Sequence, residues 1–235
     1  EGNGKLARQE SNDPTKCEIF IVEGKSAGGT AKTGRDRTFQ AILPIRGKIL
    51  NVEKQSVDKV LANEEIKAIV NALGCGFSQG YGNDFNIDNL KYSKIIIAAD
   101  ADVDGGHIST LLLTLVYRFM PELIYAGKLY RAMPPLYRVK PKKGKAEYIY
   151  DDKALEAYRK KHGNNFDIQR YKGLGEMDSE QLWETTMNPK TRKLKQIGMQ
   201  DVIDANRLTS VLMGEEVAPR REYIVNNADK ATLDV

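Results

Sequence analysis

The chain is poor in cysteine and tryptophan and has no long hydrophobic run. Only Cys17 and Cys75 are present among its 235 residues, far apart and in no CxxC pair, which argues against a zinc site and for reduced structural thiols. No apolar stretch approaches the roughly 18 residues of a membrane span, and no signal peptide opens the sequence, so a soluble, cytoplasmic protein is expected. Internal repeats and low-complexity tracts are also absent. The net charge of +4 is small: it permits binding to DNA without requiring it. What the chain does have is 41% hydrophobic content, enough to bury the core of one or two compact units.

The richest stretch runs from Lys94 to His107, KIIIAADADVDGGH. Ile95, Ile96, Ile97, Ala98 and Ala99 form a continuous apolar run, as in a parallel strand buried on both faces. The leucines and aromatics of HISTLLLTLVYRFM then fall at helical spacing, giving strand, acidic turn, helix. Asp100, Asp102 and Asp104 thus gather three carboxylates where a strand ends, the place where open α/β sheets bind ligands. Such a cluster repels itself unless a cation joins it. A capped acidic turn is the plainer alternative, and Asp104, followed by Gly105, fits it best of the three. An EF-hand loop shares this spacing but needs a glutamate where Leu111 stands, and a helix where the isoleucines run.

A second acidic strand end lies upstream in CEIFIVEGKSAGGTAKTGRDR, where Ile19 to Val22 lead into Glu23 and Gly24. Two such ends suggest one shared site. Ser26, Ala27, Gly28 and Gly29 would allow close approach of a helix start to a phosphate, with Arg35 and Arg37 adding positive charge. The GKS triplet is not a P-loop, because Ile19 occupies the position of its first glycine.

Residues 1–16 are polar and read as a linker or frayed end. Residues 17–138 alternate strand-like and helix-like segments, and residues 139–235 form a tail that opens with a basic hairpin tip, PKKGK. The tail then reads as largely helical, near 152–162, 179–187, 202–213 and 220–228.

Four motifs in order, VEGKSAGG, QAILPIRGKILNVEK, ADADVDGGHI and RYKGLGEMDSEQLWETTM, resemble the Toprim domain and adjoining tail of bacterial type IIA topoisomerases, most closely the gyrase B group. The resemblance spans nearly the whole chain. It implies an α/β Toprim fold, Rossmann-like, with a mostly parallel sheet flanked by helices and a largely helical C-terminal tail. The implied activity is double-strand DNA cleavage and religation, serving ATP-dependent negative supercoiling in the holoenzyme. The alternatives are the B subunit of topoisomerase IV, a decatenating relative, and a non-catalytic Toprim-like DNA-binding scaffold.

By this resemblance Glu23 and Asp100 hold a catalytic Mg2+, and Asp100 and Asp102 a second one, with Asp104 nearby. Mn2+ or Ca2+ would substitute in binding, since the donors are all oxygen. Lys48 and Asn51 are the implied DNA contacts, joined by Arg46. His107 either reaches a phosphate or caps its helix, and Lys172 either approaches DNA or packs its loop. Trp183 is either core or a partner surface. None of the eleven tyrosines stands in an activating context, and in the family the attacking tyrosine belongs to the gyrase A subunit, within an A2B2 holoenzyme. Nothing resembles the family's ATPase and transducer domains, so a carboxy-terminal fragment inactive by itself is expected. The run from Tyr150 to Asp167 is too short for an insertion that some members carry. One position departs from the family's EGDSA pattern: Lys25 replaces the acid. The family's fluoroquinolone pocket lies beside that position and near Arg46 and Glu65, so altered drug response with metal binding retained is expected.

Overall fold

The structure is a computed structural model that describes residues 5–46, 55–76, 84–100, 103–212 and 232–234. Its centre is a six-stranded sheet in the order β2-β1-β3-β4-β8-β9, comprising β1 (Glu18–Glu23), β2 (Gln40–Ile45), β3 (Lys94–Ala98), β4 (Leu129–Ala132), β8 (Leu194–Gln196) and β9 (Thr232–Asp234). The first four strands are parallel, and β8 and β9 close the far side antiparallel.

The apolar runs of β1 and β3 are continuous because the sheet is covered on both faces. Ile19, Ile21, Ile95 and Ile97 point into one cluster, packed by α2 (Val57–Ala62), α3 (Glu64–Leu73), α4 (Val103–Phe119) and α5 (Pro121–Tyr125). Phe20, Val22, Ile96 and Ala98 point into the other, where α1 (Lys25–Gly34) meets the tail through Ala27, Ala31, Leu174, Met177, Leu182 and Met187. Alternation of period two therefore survives inside sequences that look uniformly apolar.

Caps fix the helix positions. Asn63 accepts from Ile66 N at 3.1 Å to start α3, and Gly74 ends it in the left-handed region at φ 76°.

A small second sheet, β6-β5-β7, contains β5 (Tyr137–Pro141), β6 (Glu147–Ile149) and β7 (Phe166–Arg170), all antiparallel. Its β5–β6 hairpin carries the PKKGK tip at the expected place, and α6 (Asp152–His162) follows as the pattern predicts. Then come α7 (Ser179–Leu182), which runs into a π-helical turn at Trp183–Met187, and α8 (Met199–Leu212). The helix expected near 220–228 lies outside the described residues. Beyond the expected hairpin the tail also holds β7, β8 and β9.

Residues 5–16, read as linker, lie on the fold: Ala7 pairs with Ile42 on the outer edge of β2, with backbone hydrogen bonds of 2.8 and 2.9 Å. Arg35 fastens this arm. Its guanidinium is buried and donates to the carbonyls of Ala7, Arg8 and Gln40 at 3.1, 2.9 and 2.8 Å. Arg35 therefore supplies no surface charge for a phosphate, contrary to the expectation from sequence, because three carbonyls at the arm crossing need a donor. Among the described residues no helix is long and apolar enough to cross a membrane.

Candidate active site

The chain leaves β1 for β2 on one side and returns across it to β3 on the other, so the sheet's topological switch lies between β1 and β3. Crevices at the carboxyl ends of such strands are where ligands bind. Register puts the two acids there together: Val22 pairs with Ala98, Glu23 follows directly, and Asp100 comes two residues after Ala98. Gly24, at φ 91° and ψ 147°, turns the chain from β1 into α1, and its N–H reaches Ile45 O at 3.0 Å. A side chain there would be strained by the positive φ.

Asp100 is held by the tail. Its Oδ1 accepts from Leu174 N at 2.8 Å, within a loop tied by Tyr171 N to Leu136 O at 2.8 Å and Lys172 N to Glu176 Oε2 at 2.9 Å. Leu174 and Tyr171 are buried and anchor that loop, whereas Lys172 is exposed beside Asp100. The loop's hold on Asp100 was not read from sequence; the glycines flanking Leu174 were the available signal.

Arg46 and Glu65 also meet, by Arg46 N donating to Glu65 Oε2 at 3.4 Å, and Lys5 pairs with the other carboxylate oxygen. Arg46 is exposed one residue beyond Ile45, the register partner of Glu23, and so lies at the same end of the sheet. Lys25 opens α1, and Asp104 and His107 lie in α4, where the backbone alone is described. Lys48, Asn51 and Asp102 lie outside the described residues. Among those described, no group of three or more acidic, cysteine or histidine side chains gathers.

The donor set suits a hard cation. Two carboxylates at adjacent strand ends offer oxygen alone, the preference of magnesium, and Leu174 occupies one oxygen of Asp100 while steadying the other. Five of the tyrosines, by contrast, are poor attackers. Burial pushes the Tyr92 and Tyr171 phenols up to about 12, and the shifts at Tyr137, Tyr148 and Tyr150 are also upward, from hydrogen bonding to Asp152 in the first case and from burial in the other two. A raised pKa disfavours the phenolate that a nucleophile needs. Trp183 packs, partly buried, against the cluster that the sheet and α1 share with the tail.

A parallel sheet with acids at its switch point, covered on both faces by helices, is the arrangement of a Toprim domain, and the model of that domain family matches residues 18–132. A second family model, "DNA gyrase B subunit, carboxyl terminus", matches residues 163–225. The chain thus carries, in this order, a Toprim domain and the carboxyl-terminal region described for DNA gyrase B subunits. It is 55% identical to the DNA gyrase B subunit of Thermus thermophilus over 99% of its own length and 37% of that relative. Identity is 56% to the gyrase B subunit of Clostridium acetobutylicum and 55% to that of Treponema pallidum, in each case over 99% of this chain and 36% of the relative. The chain thus spans little more than a third of the length of the curated relatives it matches.

Proposed function

We propose that this chain is the metal-binding half of a double-strand DNA cleavage and religation centre, which works with the attacking tyrosine of a gyrase A subunit. The observation that supports it most is the placement of Glu23 and Asp100 at the ends of adjacent parallel strands, in a chain similar to gyrase B along 99% of its length. In this reading residues 17–138 form the Toprim unit and residues 139–235 the tail packed on it. The assembly is A2B2, cytoplasmic, and in its complete form couples ATP hydrolysis to negative supercoiling.

Glu23, Asp100 and Asp102 are the residues proposed to hold Mg2+, with Asp104 beside them and Mn2+ or Ca2+ able to replace it in binding. When bound, a divalent cation supplies neutralisation of charge on the scissile phosphate and on the leaving oxygen. In cleavage the tyrosine of the partner protein gives up its hydroxyl proton to water as its oxygen bonds to phosphorus, and the bond to the ribose 3′ oxygen breaks; religation reverses this. Glu23 holds the proton that the 3′ oxygen gains on leaving and loses on return. Arg46, Lys48, Asn51, His107 and Lys172 contact DNA phosphates and orient the duplex, so binding should fall steeply with salt. Lys25, with Arg46 and Glu65, borders the proposed fluoroquinolone site, and Lys25→Asp should change drug-stabilised cleavage while leaving metal binding intact.

The test is reconstitution with a gyrase A subunit, supercoiled DNA and Mg2+. Linear DNA bound covalently to the tyrosine-bearing partner is expected, lost in Glu23→Ala and Asp100→Ala variants whose circular dichroism and melting match the parent. DNA binding without cleavage by the unmutated chain would leave a scaffold in place of an enzyme component.

A further inference from the structure

Gly173 approaches Asp100 more closely than any other residue type could. A Cβ built on Gly173 would lie 2.9 Å from Asp100 Cγ and 2.9 Å from each carboxylate oxygen, a separation that real Cβ atoms essentially never show. Equal distances to all three atoms put that point above the carboxylate plane, not within it. The backbone of Gly173 therefore covers one face of the carboxylate and leaves the in-plane lone pairs, where hydrogen bonds and cations sit, uncovered. The next residue takes one of those lone pairs, through Leu174 N to Oδ1 at 2.8 Å.

The dihedral angles of Gly173 do not themselves call for glycine. At φ −163° and ψ 166° it is extended, a conformation open to every residue, so the requirement comes from the contact with Asp100. Gly175, two residues on, provides the contrast. Its Cβ would meet Ser26 Oγ at 3.6 Å, an ordinary van der Waals distance, and nothing closer. The loop between them is rigid: Leu174 and Met177 are buried with Ala27 and Ala31 of α1, and Glu176 N and Met177 N bond back to Gly173 O and Leu174 O, each at 3.2 Å.

We propose that the Gly173–Leu174 turn is a positioning element for the cleavage site, by which the tail sets the rotation of the Asp100 carboxylate for cation binding. This rests on the reading of Asp100 as a metal ligand. The tail then serves as more than a covering for the Toprim sheet, since it fixes a group on which the chemistry depends.

The test uses the full chain and Mn2+ as probe, followed by paramagnetic resonance of the free ion. Outer-sphere partners of metal ligands are typically worth about 10–100-fold in affinity, so Gly173→Ala should weaken Mn2+ binding by about tenfold or more, while Gly175→Ala matches the parent. Melting curves of both variants are compared, because a purely structural role would move stability without moving affinity in a folded variant. If Gly173→Ala does not fold, amide exchange of Leu174 decides instead. It should be slow in the parent and in Asp100→Asn, which keeps the acceptor, and fast in Asp100→Ala; equal rates in all three would overturn the proposal. Unchanged Mn2+ affinity in folded Gly173→Ala, with binding lost in Asp100→Ala, overturns the positioning role and leaves the metal site standing. Unchanged affinity in Asp100→Ala overturns both.

Discussion

Replacing Arg192 by Met tests how firmly the tail is joined to the sheet. Arg192 and Glu18 are 5% and 4% exposed, and they form a two-pronged pair in which Nη2 donates to Oε2 at 2.9 Å and Nη1 to Oε1. Gln40 Nε2 completes the network, donating to Glu18 Oε1 at 2.7 Å and to Met187 O at 2.8 Å. In Arg192→Met the Glu18 carboxylate stays buried with only an amide as partner. Leaving a buried charge in that state costs about 3–5 kcal/mol, whereas replacing both members of such a pair by neutral groups is often close to neutral. The single variant should therefore lose about 3–5 kcal/mol in urea unfolding with an unchanged slope, and Glu18→Gln with Arg192→Met should recover most of it. A loss below about 1 kcal/mol for the single variant, the value of a solvated surface pair, would refute the reasoning.

Adjacent glycines of α1 should respond with opposite signs. Gly29→Ala, with nothing within 4 Å of its new methyl, should stabilise by about 0.5–1 kcal/mol in thermal unfolding. Gly28→Ala would place its Cβ 2.7 Å from Pro44 Cβ and should lower the melting temperature, since overpacking costs typically about 1–3 kcal/mol. Tyr92 and Tyr171, raised from 10.0 to about 12 by burial, keep their protons in the folded chain after the unfolded chain has lost its own. Stability should thus be full below pH 10 and fall as pH rises towards about 12, and phenolate absorbance in the ultraviolet should rise with unfolding. Burial also pushes the Cys75 thiol up to about 11, so alkylation followed by mass spectrometry should leave Cys75 unmodified at neutral pH until denaturant is added.

The strands that carry the site were legible because burial on both faces writes an unmistakable run, as in Ile95 to Ala98, and because an acid directly after such a run has few structural uses. The hairpin at PKKGK and the helix at 152–162 were legible for similarly local reasons, turn chemistry and periodicity. What stayed hidden was decided by contacts across long separations. The segment KLYRAMPPLYRV is strand-like on both sides of Pro134 and Pro135, yet its two parts, β4 and β5, belong to different sheets. Arg35 reads as surface charge until the arm carbonyls that surround it are known. Gly173 is the clearest case: in sequence it is a loop glycine, and only the placement of Asp100 shows what its missing side chain makes room for.

The antiparallel closure of the sheet has a consequence for synthesis on the ribosome. Strands β2, β1, β3 and β4 are all delivered by the time Ala132 emerges, yet the outer edge of β4 finds its partner only when Leu194–Gln196 follows. At about 5–20 residues per second that interval lasts seconds, with Leu129 to Ala132 offering open hydrogen-bonding groups to any passing chain. Nascent chains of this protein should therefore be most in need of a chaperone while β5, β6, α6 and β7 are being made.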